Sequence, residues 1–194
     1  LPPSLLYLNC SRNYISVLPD LPSGLKSLNC LHNSLSALPS LPDSLKSLLT
    51  GYNFLTAIPQ LPNSLFEFDC MDNQILSIPA LPPTLFYLGV SNNPIHSLPL
   101  LPNSLVYLFC AGSNLTVIPA LPASLRRVDC ANNNLTILPT LPFNLEQLLC
   151  NKNEILFLPK LPITLNTLDC SENEMSCLPN LPSDLRQIKM DDKI

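Results

Sequence analysis

Eight cysteines and two histidines are the residues of this 194-residue chain best suited to chemistry, and their spacing argues against most of it. His32 and His96 lie far apart, so no Ser–His–acid or Cys–His arrangement can be drawn through them. Asp69, Asp129 and Asp169 are too widely separated to work as paired catalytic carboxylates. Cys10, Cys30, Cys70, Cys110, Cys130, Cys150 and Cys170 instead recur at multiples of twenty residues, and Thr50, Val90 and Met190 fill the same slot elsewhere. Interchange with Val and Met marks the slot as apolar, so these thiols act as small hydrophobes. Stacked strands lie about 4.8 Å apart, whereas a disulfide wants Cβ atoms about 3.8 Å apart. The cysteines therefore read as reduced packing residues, which suits a reducing compartment. No C-x-x-C pair is present, and the eighth cysteine, Cys177, lies inside a repeat. No catalytic constellation, cofactor or metal is expected. The one cation alternative is calcium at Asp69 and Asp72.

The period that spaces the cysteines runs through the whole chain. Each unit reads L-P-x-S-L-x-x-L-x-C-x-x-N-x-L-x-x-L-P-x. The ninth copy shows it in Leu161, Pro162, Thr164, Leu165, Leu168, Cys170, Asn173, Met175, Leu178 and Pro179. A fixed short period is the mark of a solenoid. The expectation is one continuous domain over 1–194, with nine complete repeats over 1–180 and a partial repeat over 181–194.

Within each unit the sequence assigns local structure. In Leu105-Val106-Tyr107-Leu108-Phe109-Cys110 the apolar Leu108 and Cys110 alternate with outward Tyr107 and Phe109, which predicts a short strand over positions five to ten. In-register stacking predicts a parallel sheet of about ten strands, roughly 45 Å long, lining the concave side of a right-handed, horseshoe-like superhelix. Prolines at positions two and nineteen forbid a helix on the back of each turn. That side should be extended and polyproline-like, as in Ile118-Pro119-Ala120-Leu121-Pro122.

Position thirteen is Asn13, Asn33, Asn53, Asn73, Asn93, Asn133, Asn153 and Asn173, with Ser113 as the exception. Such uniformity predicts a buried ladder of amides bonding the backbone of adjacent turns. Ser113 should be a weak point, or its hydroxyl a shorter substitute. One repeat cannot bury its own core, and Leu1 and Ile194 adjoin no obvious polar cap, so both ends should be exposed. The start at Leu1 suggests a trimmed or processed piece of a longer protein.

Net charge is −4, with acids and bases scattered. No basic stripe follows a phosphate backbone, so nucleic acid is not an expected partner. Prolines interrupt every apolar stretch, so no membrane-spanning helix is expected, and no signal peptide is visible. Asn9, Asn114 and Asn134 begin glycosylation sequons, which the ladder of free thiols argues are unused.

A partner would read the positions that do not repeat. Positions seven and nine face outward, and along them Tyr87, Tyr107 and Phe109 fall together on adjacent strands. Gly89 is expected to leave a depression beside them, and Phe66, Phe86 and Val106 to extend the patch. Glu67, Asp69 and Asp72 form an acidic border, and Arg126, Arg127 and Asp129 a mixed one. Clustered outward aromatics suggest a binding centre; cross-strand pairing that stabilises the sheet is the alternative.

The segment L-x-x-L-x-C-x-x-N-x-L resembles the core of the leucine-rich repeat, and the resemblance covers essentially the whole chain. L-P-x-L-P-x-S-L on the back, with the twenty-residue length, is similar to the bacterial LPX subclass. That subclass includes YopM-type and IpaH-type effectors. The resemblance implies a bacterial effector secreted into the host cytoplasm, where its repeats bind a host protein. In IpaH-type members a separate domain carries ubiquitin-ligase activity, so substrate recognition for a ligase is an alternative. A structural repeat protein that self-associates through its ends is another. No helical cap precedes Leu1, nothing like a ligase domain follows Leu181, and cysteine at position ten departs from the more usual Val or Leu.

Overall fold

The computed structural model describes residues 1–177 and 179–190. Leu178 and Ile194, both invoked above, lie outside the described residues. Ten strands occupy positions seven to nine of successive repeats: β1 (Tyr7–Asn9), β2 (Ser27–Asn29), β3 (Ser47–Leu49), β4 (Glu67–Asp69), β5 (Tyr87–Gly89), β6 (Tyr107–Phe109), β7 (Arg127–Asp129), β8 (Gln147–Leu149), β9 (Thr167–Asp169) and β10 (Gln187–Lys189). They form one parallel sheet in chain order, paired residue to residue twenty apart. Among the described residues there is no helix, and so none long and apolar enough to cross a membrane.

The strands are shorter than the six residues read from the alternation, and both ends have a physical cause. Before each strand a tight turn closes, with Leu65 N–H donating to the Pro62 carbonyl at 3.0 Å and Leu105 N–H to Pro102 at 3.1 Å. After each strand, position twelve takes a left-handed backbone. Arg12, His32, Tyr52, Asp72, Asn92, Asn132, Lys152 and Glu172 all have φ between 53° and 58°, and Gly112 has φ 63°. Such a residue turns the chain out of the sheet, at a steric cost to any side chain but glycine. Hydrogen bonds between neighbouring turns nevertheless run on past the strand, as in Cys30 N–H to Leu49 O, His32 N–H to Gly51 O and Asn33 N–H to Tyr52 O.

Leucines at positions five and eight and the residue at position ten build the core. Leu65, Phe68, Cys70, Leu105, Leu108 and Cys110 are fully buried. The cysteines are free thiols, and burial pushes Cys10, Cys30, Cys70, Cys110, Cys130 and Cys150 away from ionisation, with Cys30 raised to about 12. The slot is not purely apolar. Cys30 Sγ donates to the Leu49 carbonyl at 3.5 Å and Thr50 Oγ1 to Asp69 O at 3.2 Å, which explains how Thr50 replaces a cysteine there.

Two side-chain ladders tie the turns. Asn73 Nδ2 donates to Thr50 O, Cys70 O and Met71 O, and its Oδ1 accepts Leu55 N–H at 2.9 Å. The same four bonds recur at Asn33, Asn53, Asn133, Asn153 and Asn173. Asn93 repeats them too, and Asn13, in the first of the described repeats, bonds only its own repeat through its side chain. Ser113 fills no such role: its buried Oγ has no hydrogen-bond partner among the described residues, and Ile95 N–H turns instead to Asn93 O. The hydroxyl is therefore no substitute for the amide. The second ladder is the Ser or Thr at position four, as where Ser64 Oγ donates to Asp43 O and Leu45 O.

In the first repeat Leu1 and Tyr7 are exposed, and Leu8 and Cys10 only partly buried. β10 is exposed at all three residues.

Candidate partner-binding face

The period of two aims positions seven and nine of every strand away from the core. Register then sets which outward side chains meet. Tyr87 pairs with Tyr107 and Tyr107 with Arg127, while Gly89 pairs with Phe109 and Phe109 with Asp129. Across this grid the rings contact diagonally. Tyr87 and Phe109 have ring centroids 5.3 Å apart at 35°, and the Arg127 guanidinium lies 4.9 Å from the centre of the Phe109 ring. A second row runs along position six, where Phe66 and Phe86 stack at 4.8 Å and Phe86 meets Tyr107 edge-on at 5.3 Å. Together these side chains form one apolar belt from β4 to β7, half-buried by mutual contact except for the exposed Phe66.

Gly89 is not a depression. It is buried, and a Cβ there would sit 3.2 Å from the Tyr87 ring and 3.3 Å from the Asp69 carboxylate. The missing side chain is what allows the Tyr87 ring to lie flat across its own strand toward Phe109. Burial under that packing pushes the Tyr87 phenol up to about 12, with Asp69 and Glu67 adding to the rise.

Position nine carries more structure than its variability suggests. Asn9, Asn29, Asp69, Asp129 and Asp169 each accept the N–H two residues on, at Ser11, Leu31, Met71, Ala131 and Ser171. This Asx turn gives a backbone donor its partner as the chain leaves the strand. Asp69 and Asp129 are therefore bound into the coil and not wholly free to be chosen by a partner. Burial raises the affinity of both carboxyls for a proton, and the N–H bonds partly offset it. The signal was present in the sequence, since Asn or Asp fills half of the ten position-nine slots.

The charged neighbours divide into satisfied and unsatisfied groups. Glu67 accepts the Ser47 hydroxyl at 2.7 Å, and Asp72 accepts the Asn92 amide at 3.0 Å. Arg126 pairs with Glu146, Lys152 with Glu172 and Lys189 with Asp169. Arg127 forms no ion pair among the described residues, and its buried Nε has no hydrogen-bond partner.

His32 stacks on Tyr52 at 4.1 Å, a contact the sequence reading missed, on the ridge of left-handed residues. Among the described residues, no group of three or more His, Cys, Asp or Glu is placed to hold a metal ion. Asp69 and Asp72 are instead engaged with Met71 N–H and the Asn92 amide.

No protein-family model matches the chain, and no curated protein sequence does either. Solved structures do. The chain is similar to YopM from Yersinia enterocolitica, at 35% identity and TM-score 0.85, covering 98% of this chain and 47% of that one. It is also similar to YopM of Yersinia pestis, described as a leucine-rich effector protein, at 30% identity and TM-score 0.83, covering 99% and 61%. A Shigella effector leucine-rich repeat domain matches at 27% identity and TM-score 0.61, over 88% of this chain and 70% of that domain. The chain thus spans about half to three fifths of the length of the YopM chains. A twenty-residue period, an unbroken parallel sheet and an asparagine ladder, together with these likenesses, make this chain a leucine-rich repeat solenoid of the bacterial effector-like kind.

Proposed function

We propose that the chain is the protein-binding module of a bacterial effector and docks a host protein on the open face of its sheet. The observation that carries the reading is the belt of Phe66, Phe86, Tyr87, Tyr107 and Phe109 capped by the unpaired Arg127. Aromatic and arginine side chains in one patch are what binding hot spots are made of. Glu67, Asp69 and Asp129 border the belt and set the orientation of the partner more than its affinity. Delivery into a host cytosol accords with thiols held reduced and buried. The chain itself is not an enzyme on this reading, and it uses neither nucleic acid nor a membrane as its partner.

The test is a pulldown from reduced eukaryotic lysate, comparing the chain with a Tyr87→Lys, Tyr107→Lys, Phe109→Glu variant whose fold is verified by circular dichroism. A protein retained by the first and lost by the second is expected. Equal retention by both removes the open face as the site. The ubiquitin-ligase alternative uses the same face, and a catalytic domain encoded beyond Ile194 would select it. Assembly through the ends is the structural alternative, and sedimentation that depends on concentration would reveal it.

A further inference from the structure

Arg127 differs from the cation beside it and from the others that are paired. Arg126, one residue away, has Glu146, and Lys152 and Lys189 have Glu172 and Asp169. Arg127 has Asp129 on its own strand, but the Asp129 Oδ1 accepts Ala131 N–H and no ion pair forms. The guanidinium lies over the Phe109 ring, 4.9 Å from its centre. A guanidinium held against a ring is oriented in advance, and its donors match a carboxylate in bidentate fashion. Among the described residues nothing supplies that carboxylate.

Three strands away the sign is reversed. On β4, Glu67 and Asp69 both face outward, with Asp72 beyond them. Burial, Glu67 and Asp72 all make it harder for Asp69 to carry its charge. A cation brought to this end would relieve that cost. Between the two ends, on β5 and β6, lie Tyr87 and Phe109.

Resting on the proposed function, we infer that this face selects an extended partner segment of the pattern acidic-x-apolar-x-basic, read in either chain direction. Its acid docks on Arg127, its apolar residue on Tyr87 and Phe109, and its base on Glu67 and Asp69. Spacing fixes the pattern. From β4 to β7 is three strand separations, about 14 Å at about 4.8 Å each. An extended chain rises about 3.3 Å per residue and turns alternate side chains to one side. Residues i, i+2 and i+4 therefore face the sheet together and span about 13 Å. A helix rises only about 1.5 Å per residue and would need some nine residues between the charges.

The experiment is a selection of displayed random 12-residue peptides on the 194-residue chain in reducing buffer. Binding of the enriched peptides is then measured by fluorescence polarisation. The expected result is enrichment of the pattern, with Arg127→Gln weakening binding at least about tenfold. Exchanging the peptide's acid for lysine should restore binding to an Arg127→Glu variant. Peptides that need Tyr87 and Phe109 but lack the charge pair, or that bind Arg127→Gln undiminished, overturn the inference and leave the proposed function standing. Peptides indifferent to the Tyr87→Lys, Tyr107→Lys, Phe109→Glu variant overturn both. A selection that enriches nothing also counts against the inference, because the pattern lies well within such a library.

Discussion

The asparagine edge and the open sheet face stand side by side on every repeat, yet they follow opposite rules. At the edge the residue hardly varies and every atom is used. Most position-ten carbonyls take two amides, as Cys70 O does from Asn73 and Asn93, while Val90 O and Cys110 O, to either side of the break at Ser113, take one each. At the face the residues vary, the rings satisfy one another only in part, and the buried Arg127 Nε has no acceptor among the described residues. The difference shows where the chain's own stability is specified and where an outside partner has room to act. Among the described residues the two regions fail close together in the chain: Ser113 interrupts the edge in the sixth repeat, four residues after Phe109, and Arg127 is unpaired in the seventh.

Asn73→Ala should have the largest effect on stability. It removes three donated bonds and one accepted bond, strands Leu55 N–H, and halves the bonds to Thr50 O and Cys70 O. Net bonds of this kind are worth about 1 kcal/mol each, and a buried orphan adds about 1–3, so a loss of about 3–5 kcal/mol is expected in urea unfolding. A loss under about 1 kcal/mol would abolish the contrast between edge and face. Ser113→Asn runs the comparison the other way. It should give Val90 O and Cys110 O a second amide, return an acceptor to Ile95 N–H and remove a buried orphan. A gain of about 2 kcal/mol follows. No gain would mean that the sixth repeat has adapted to serine by other means.

How far the sequence spoke for these regions depends on how often each residue type repeats. The asparagine edge was legible because Asn33, Asn53, Asn73 and their fellows recur without a reason that a surface loop could give. The sheet, its register and its proline-bound back were legible for the same reason. The strand ends were not, because the left-handed turn at position twelve is occupied by residues as different as Arg12, Tyr52 and Lys152. There hydrogen bonds of the flanking turns override the local preference, and only Asn92, Gly112 and Asn132 hint at the conformation. The contact partners on the face were illegible in another way. Alternation says that Tyr87 points outward, but only the absent side chain of Gly89 decides that its ring lies toward Phe109. Position nine misled because one slot holds two kinds of residue: Asx caps such as Asp69, and side chains such as Phe109 that bond nothing in the backbone.

The smallest effects come from Asp-to-Asn changes at position nine, and Asp69→Asn draws the sharper division between the two regions, because Asp69 belongs to both. The amide oxygen keeps the bond to Met71 N–H, as Asn29 already does with Leu31 N–H. The substitution removes only the charge. Burial raises the folded-state pKa of Asp69 above its unfolded value, so the folded chain holds that proton more tightly than the unfolded chain does. At neutral pH both states are ionised and the full cost of burying the charge is present. As pH falls through the folded pKa and then the unfolded one, protonation removes that cost, and the asparagine variant has no such cost to lose. The variant should therefore be more stable at pH 7, by no more than about 1 kcal/mol, and the gap should close toward about pH 3. Asp129→Asn should show a smaller gap, because Arg127 opposes the rise at Asp129. Urea midpoints measured across this range decide the matter. If Asp69→Asn is instead less stable at pH 7, the carboxylate's bond to Met71 outweighs its burial, Asp69 belongs to the scaffold alone, and the acidic end of the face is left to Glu67.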